Sequence, residues 1–409
     1  MVQIDCCRIC SGSDFELVID LGWQALTGIF PRNPETDEFP RGPLRLIRCV
    51  SEEGCGLVQL EHNFDQNVLY GENYGYRSGL NVSMVKHLQE RVAELSGRLS
   101  LNDGDVVLDI GSNDGTTLGF YPPSLTRIGI DPTAAKFQNF YPLGAIAIPS
   151  FFTAVAVLSA SGGRQAKAVT SFSMMYDLEH PRAFVTEVAA VLALDGVWVF
   201  EQSYLPLMLE RTAFDTICHE HLEYYGIRQI DWLLEEAGLE VIDVELNDVN
   251  GGSFAVTAAH KGVFSVAESV KQIRLKEQTL WNNARQRFSE FAEATKQSAD
   301  ALRIFVQTQI AIGNSVAGLG ASTKGNVLLQ FSGLTASEVS VIGDVNPDKY
   351  GCVTPGTWIP IRPQDEVLNQ NHDYYIVLPW HFREFFEVSP IFLGRRLVFP
   401  LPKLSIVAL

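Results

Sequence analysis

The chain has 409 residues, 46% hydrophobic and 19% charged, with a formal net charge of −17. That composition is globular, and the length accommodates two or three domains with separate cores. An acidic chain is a poor partner for nucleic acid, which demands clustered Lys and Arg, so no nucleic-acid function is expected.

No basic stretch followed by an apolar run opens the chain, and no 18 consecutive residues are apolar, so neither a secretory signal nor a membrane partner is expected. Seven cysteines then read as thiols or metal ligands of a cytoplasmic protein.

Residues 1–70 hold few helix-period segments and many turn residues, as in FPRNPETDEFPRGP, which predicts a small β-rich module. Cys7 and Cys10 stand there as C-x-x-C, and Cys49 and Cys55 follow in CVSEEGC. Two close cysteine pairs, each on a turn, place four thiolates around a tetrahedral zinc. Cys6 adjoins Cys7, and the two-residue spacing favours Cys7. Four thiolates leave no open coordination position, so the expected zinc is structural.

From residue 71 the pattern changes. SMVKHLQERVAELSGRL sets Met84, Leu88, Val92 and Leu95 on one helical face. DVVLDI (105–110), RIGID (127–131), AVTSF (168–172) and GVWVFE (196–201) read as short strands separated by helices or loops, as in a parallel α/β sheet. The proline-free stretch 264–313 reads as one or two long helices. Beyond it SVAGLGASTKGNVLLQF (315–331), VSVIGDVNP (339–347) and YYIVLP (374–379) predict a second, smaller α/β unit. The expected division is 1–70, 71–262 and 263–409.

VVLDIGSNDGTTL (106–118) carries a strand through Asp109 into Gly111, Ser112, Asn113, Asp114 and Gly115. Glycines there let the backbone approach a ligand, and a helix start offers free N–H groups. The acidic residues disfavour phosphate and suit a cofactor with a cationic centre. The next strand ends in GIDPT, where Asp131 is placed to accept both hydroxyls of a ribose. Together these resemble the S-adenosylmethionine site of class I methyltransferases more than an NAD fingerprint. In the C-terminal unit, GLGASTKGN (318–326) presents Gly320, Lys324 and Asn326 as a diphosphate cradle without a Walker ending, and GDVNPDKYG brings Asp344 or Asn346 to a nucleoside.

The densest set of titratable groups is FDTICHEHLEYYG (214–226). It follows MMYDLEHP (174–181) and FEQSYL (200–205) and precedes GASTKGN (320–326) and GDVNPDKYGCVTPGTWIPI (343–361). In this order, behind an N-terminal cysteine set, these motifs resemble the three-domain sugar C-methyltransferases that act on nucleotide-linked deoxysugars. The resemblance implies an α/β architecture: a class I methyltransferase Rossmann-like domain, a small N-terminal β-rich zinc module, and a second, C-terminal Rossmann-like α/β domain that binds the sugar nucleotide.

It further implies S-adenosyl-L-methionine as cofactor, with Pro132, Ser150 and Phe151 joining the loop residues, and a monomer or homodimer. His221 would be the base that removes a proton alpha to the ketone of a nucleotide-diphosphate 4-keto-deoxysugar, giving an enolate that takes the methyl group. Glu220 and His219 would orient the base or bind sugar, with Tyr76, Ser78 and Tyr224 in the same pocket. Antibiotic-pathway relatives carry a tyrosine where this chain has Cys218. In an extended segment His219 and His221 share a face with Glu220 opposite, unless the chain turns here. The alternatives are an O- or N-methyltransferase on a nucleotide-sugar and a methyltransferase fold that binds without turnover.

Overall fold

The computed structural model describes residues 1–32, 39–65, 69 and 77–409. Its largest sheet has seven strands: β6 (Val106–Ile110), β7 (Thr126–Ile130), β8 (Ile146–Ile148), β9 (Ala166–Phe172), β10 (Leu192–Ser203), β12 (Leu239–Asn247) and β13 (Ser253–His260). Their order is β12-β13-β10-β9-β6-β7-β8. Strands β8, β7, β6, β9 and β10 run parallel, and β13 enters antiparallel between β10 and β12. This is the Rossmann-like methyltransferase sheet. Every residue of β6 is buried, so VVLDI reads as a continuous apolar run and not as an alternation.

The helix Val82–Arg98 covers one face with Leu88, Val92 and Leu95. Its start is fixed by Asn81, whose side chain accepts from the N–H groups of Ser83 and Met84. The expected strands of this region are present. The β12–β13 hairpin and β8 were not anticipated, because β8 is three residues long and half-exposed and so carries no apolar run.

The long polar stretch resolves into two helices, Glu268–Asn282 and Ala284–Ala311, which break at Asn283. They lead into a six-stranded sheet of β14 (Val316–Leu319), β15 (Ile342–Asp344), β16 (Ile361–Pro363), β17 (Tyr374–Val377), β18 (Arg396–Phe399) and β19 (Ser405–Ala408). Five of these strands run parallel in the order β16-β15-β14-β17-β18, and β19 closes the edge antiparallel. The second α/β unit is therefore a parallel layer of its own.

The N-terminal region forms an antiparallel sheet of β2 (Phe15–Ala25), β3 (Arg41–Cys49) and β4 (Val58–Leu60). Its fourth strand is β11 (Glu223–Tyr224), which comes from the histidine-rich segment. Arg8, between two of the cysteines, holds this joint. Its guanidinium donates to Leu60 O at 2.8 Å and Gln59 Oε1 at 3.1 Å, pairs with Asn63, and faces the Glu223 carboxylate at 3.8 Å. Both side chains of the ion pair are almost fully buried.

A buried pair is costly to break because the remaining charge has no water. Arg8→Met should lower stability by about 3–5 kcal/mol in urea unfolding, and Arg8→Met/Glu223→Gln should recover much of that loss. Equal destabilisation of the single and double variants would mean that the pair contributes packing only.

Candidate active site and zinc site

Cys7, Cys10, Cys49 and Cys55 converge with all four Sγ atoms within 4.8 Å of one another. Cys7 to Cys55 and Cys10 to Cys49 are each 3.5 Å. A tetrahedral zinc with Zn–S bonds of about 2.3 Å has sulfur–sulfur edges of roughly 3.8 Å, so the donor set fits. Cys6 is exposed and outside the cluster. Four soft donors close the coordination sphere, and zinc here would supply structure only.

The loops that face a cofactor gather at the carboxyl ends of β6, β7 and β8, where open α/β sheets bind ligands. Gly111 has φ +72° and donates from its N–H to Ile130 O at 2.9 Å. Asp131, after β7, accepts from Asn113 N–H at 2.9 Å and from Thr133 N–H at 2.6 Å. Ser112 pairs its hydroxyl with Tyr141 at 2.7 Å. Gly115 has φ +74°, and a Cβ there would press on Tyr141. Pro132, Ser150 and Phe151 follow β7 and β8 at the same edge, with Phe151 exposed.

Two acidic residues differ from the expectation of carboxylates turned toward a cationic cofactor. Asp109 is buried and accepts from Thr170 Oγ1 at 2.6 Å, and burial pushes its carboxyl up to about 7. Asp114 accepts from Gly79 N–H at 3.0 Å and faces Arg77 at 3.4 Å. Asn113 likewise accepts from Ser78 N–H at 3.0 Å. These side chains, with Ser78, pin the strap that leads into the helix Val82–Arg98. Tyr76 lies outside the described residues.

The segment 214–226 is not extended. His221 N–H donates to Cys218 O at 3.1 Å and closes a turn over CHEH. This corrects the alternate-face expectation: His219 meets the N-terminal sheet and Glu220 the loop after β2, and His221 turns away from both. His219 is fully buried, donates from Nε2 to Gly42 O at 3.3 Å and packs edge-on to Phe64. Glu220 accepts from the Thr27 hydroxyl at 3.1 Å, and burial pushes its carboxyl up.

His221 sets Nδ1 2.9 Å from Thr216 O, while its ring lies 4.2 Å from that of Tyr176. A carbonyl can only accept, so Nδ1 carries the proton and Nε2 keeps its lone pair. Burial, reinforced by the Lys324 charge, depresses the His221 pKa to about 3, so the imidazole is neutral at pH 7. Tyr224, expected to touch substrate, is buried and gives its hydroxyl to the same Thr216 carbonyl at 3.3 Å.

The C-terminal loop also differs from a simple cradle. Gly320 (φ +79°) is set by packing, since a Cβ would come within 2.6 Å of Pro379. Asn326 is fully buried and donates to Thr27 O at 2.7 Å. Lys324 reaches across to Asn250 O at 2.6 Å. Asp344 accepts from Asn346 N–H at 2.7 Å and faces Lys349 at 3.8 Å, and Lys349 donates to Ala321 O at 2.6 Å. Tyr176, Thr216, Thr27 and Lys349 escaped the reading of the sequence. Tyr176 sits in MMYDLEHP, a motif whose individual residues were not assigned.

Residues 7–70, 84–244 and 248–402 match three families, described as "Putative zinc binding domain", "Methyltransferase domain" and "C-methyltransferase C-terminal domain". A curated relative, C-methyltransferase NovU of Streptomyces niveus, is 32% identical over 416 residues, covering 99% of this chain and 97% of that protein. The chain belongs to the three-domain C-methyltransferase family. It is an S-adenosylmethionine-dependent methyltransferase.

Among solved structures, an S-adenosylmethionine-dependent methyltransferase from Clostridium acetobutylicum matches at 13% identity and TM-score 0.35, over 44% of this chain and 92% of that one. Magnesium protoporphyrin IX methyltransferase from Synechocystis gives 15% and 0.35, over 44% and 88%. Likeness at that level adds nothing to what the strand order already says. Among the described residues, no helix of this C-methyltransferase is long and apolar enough to cross a membrane.

Two outcomes can be checked directly. Metal analysis of the purified C-methyltransferase should find one zinc per chain, and Cys49→Ser should lose it together with thermal stability. His219, His221 and His381 have folded pKa values lowered to about 4, 3 and 3 by burial. At these three sites the unfolded chain binds more protons below pH 6.5, which lowers stability as pH drops from 6.5 toward 4 by up to about 1.4 kcal/mol per pH unit per histidine, while the raised buried carboxyls of Asp109, Asp215, Glu220 and Glu223 contribute the opposite slope. Ring-proton NMR at pH 7, 6 and 5 isolates the histidines, and a ring among these three that gained its proton near pH 6.5 would contradict a neutral buried imidazole.

Proposed function

We propose that this C-methyltransferase methylates a carbon alpha to the ketone of a nucleotide-diphosphate 4-keto-deoxysugar, giving a branched-chain sugar. The observation that carries the reading is the tautomer of His221. Its Nδ1–H is committed to Thr216 O, which directs the basic Nε2 lone pair away from that carbonyl. A carbon acid needs such a base, and a methyltransferase acting on an already nucleophilic heteroatom needs it less. The low pKa keeps Nε2 available at neutral pH, at the cost of basicity that enolate stabilisation has to offset.

S-adenosylmethionine would supply the electrophilic methyl group. Gly111, Ser112, Asn113, Asp131, Pro132, Ser150 and Phe151 would hold it at the carboxyl edge of the sheet, with Asp131 on the ribose. Glu220 and His219 would fix the turn that aims His221 and would not touch the sugar. In the C-terminal layer Asp344, Asn346 and Lys349 would meet the nucleotide. The division of the chain near residues 70 and 262 follows these three tasks.

His221→Ala should abolish methyl transfer while binding S-adenosylhomocysteine with near wild-type affinity by calorimetry. Asp131→Ala should weaken that affinity about 10- to 100-fold, the worth of a charge-assisted hydrogen bond. Turnover near wild type in the His221 variant would remove it as the base. A methoxy signal in the product would move the chemistry to oxygen.

A further inference from the structure

The sugar-nucleotide layer extends one charged group beyond its own sheet. The helix Thr323–Ser332 has its first turn capped by Ser322, whose side chain accepts from Gly325 N–H at 3.0 Å. It packs against the short turn Phe214–Thr216, the segment whose last carbonyl holds His221. From that helix start, Lys324 Nζ donates to Asn250 O at 2.6 Å, in the connection between β12 and β13.

Asn250 in turn gives its side-chain amide to Ser173 Oγ at 3.1 Å, just past the end of β9. The next residue, Met174, packs where a Cβ on Gly111 of the cofactor loop would sit, at 3.1 Å. Lys324 is thus placed between the loop that holds the cofactor and the turn that holds the base. Asp215, buried in that turn and fixed by Trp380 Nε1–H at 2.8 Å, lies close enough for its carboxyl and the Lys324 ammonium to act on one another. The charge of Lys324 also acts on His221 and His381.

We propose that Lys324 is a catalytic residue that pairs its ammonium with the enolate oxygen of the keto sugar, and is not a ligand of the diphosphate. This rests on the enolate reading of the same site. When His221 Nε2 takes the alpha proton, the C–H electron pair forms a C=C bond and the carbonyl π pair moves onto oxygen. That oxygen gains a full negative charge. An ammonium has three donors, Asn250 takes one, and a cation held in place before the reaction stabilises such charge without reorganisation.

The test uses the full-length protein loaded with S-adenosylhomocysteine in heavy water, with thymidine- and uridine-diphosphate 4-keto-6-deoxyhexoses. Proton NMR reads alpha-proton exchange, and calorimetry reads affinity for the free nucleoside diphosphates. Lys324→Met should slow exchange at saturating sugar by about 100- to 1000-fold, with nucleoside-diphosphate affinity within about twofold of wild type. Lys324→Arg should restore part of the exchange rate. Lys324→Met/Asp215→Asn, which leaves no buried lone charge, should fold as the wild type does and remain slow.

Unchanged exchange in the folded double variant would overturn the proposal. So would loss of nucleoside-diphosphate affinity with exchange intact at saturation, which would return Lys324 to the diphosphate. No exchange by the wild-type protein with any of the sugars would overturn the enolate reading itself, and a slow Lys324 variant beside an active wild type would not.

Discussion

The fold depends on one constraint: the ionisable groups of residues 215–223 lie largely out of water and draw their partners from the surrounding protein. Asp215, His219, Glu220 and Glu223 are all less than a tenth exposed. An isolated buried charge costs several kcal/mol, so such a segment is stable only where partners surround it. Those partners come from every layer of the molecule. Arg8, Thr27 and Gly42 come from the N-terminal region, Tyr176 from the methyltransferase layer, and Lys324 and Trp380 from the C-terminal one.

That constraint explains why the layers interlock and do not hang on linkers. Strand β11 gives the N-terminal sheet an edge taken from the histidine-rich segment. The Gln330 amide brackets both the N–H and the C=O of Ala25, and Asn326 holds Thr27, so the C-terminal helix is tied to the same loop that satisfies Glu220. The zinc cluster then acquires a role beyond its own module: it fixes the knuckle carrying Arg8, and Arg8 fixes the strand that follows His221. The cysteine cluster and the segment carrying His221 are joined by a few polar contacts.

Much of the fold was legible because its signals are local. Continuous apolar runs gave β6, β7, β9 and β10, helical periodicity gave Val82–Arg98, and paired cysteines gave the zinc set. The family was legible through the DTICHEH segment and its order among the other motifs. The direction of each side chain within that segment was not. Alternation along a strand is a local rule, and the hydrogen bond from His221 N–H to Cys218 O replaces it with a turn.

The sequence by itself determined the chemistry available: four thiols, a glycine-bearing strand end with acids beside it, and an imidazole–carboxylate–imidazole run. Residue type fixes donor softness, the sign of charge a group can carry and its reference pKa before any fold exists. Only the tertiary structure decided which groups are committed. Asp109 turns inward to Thr170, Asn326 is buried on Thr27, and Lys324 leaves its own glycine-rich loop for Asn250 in the connection between β12 and β13. The physical reason is that a hydrogen bond between residues 74 positions apart, as for Lys324 and Asn250, leaves no local pattern in the chain. It exists only after the two α/β layers have been packed against the same buried turn.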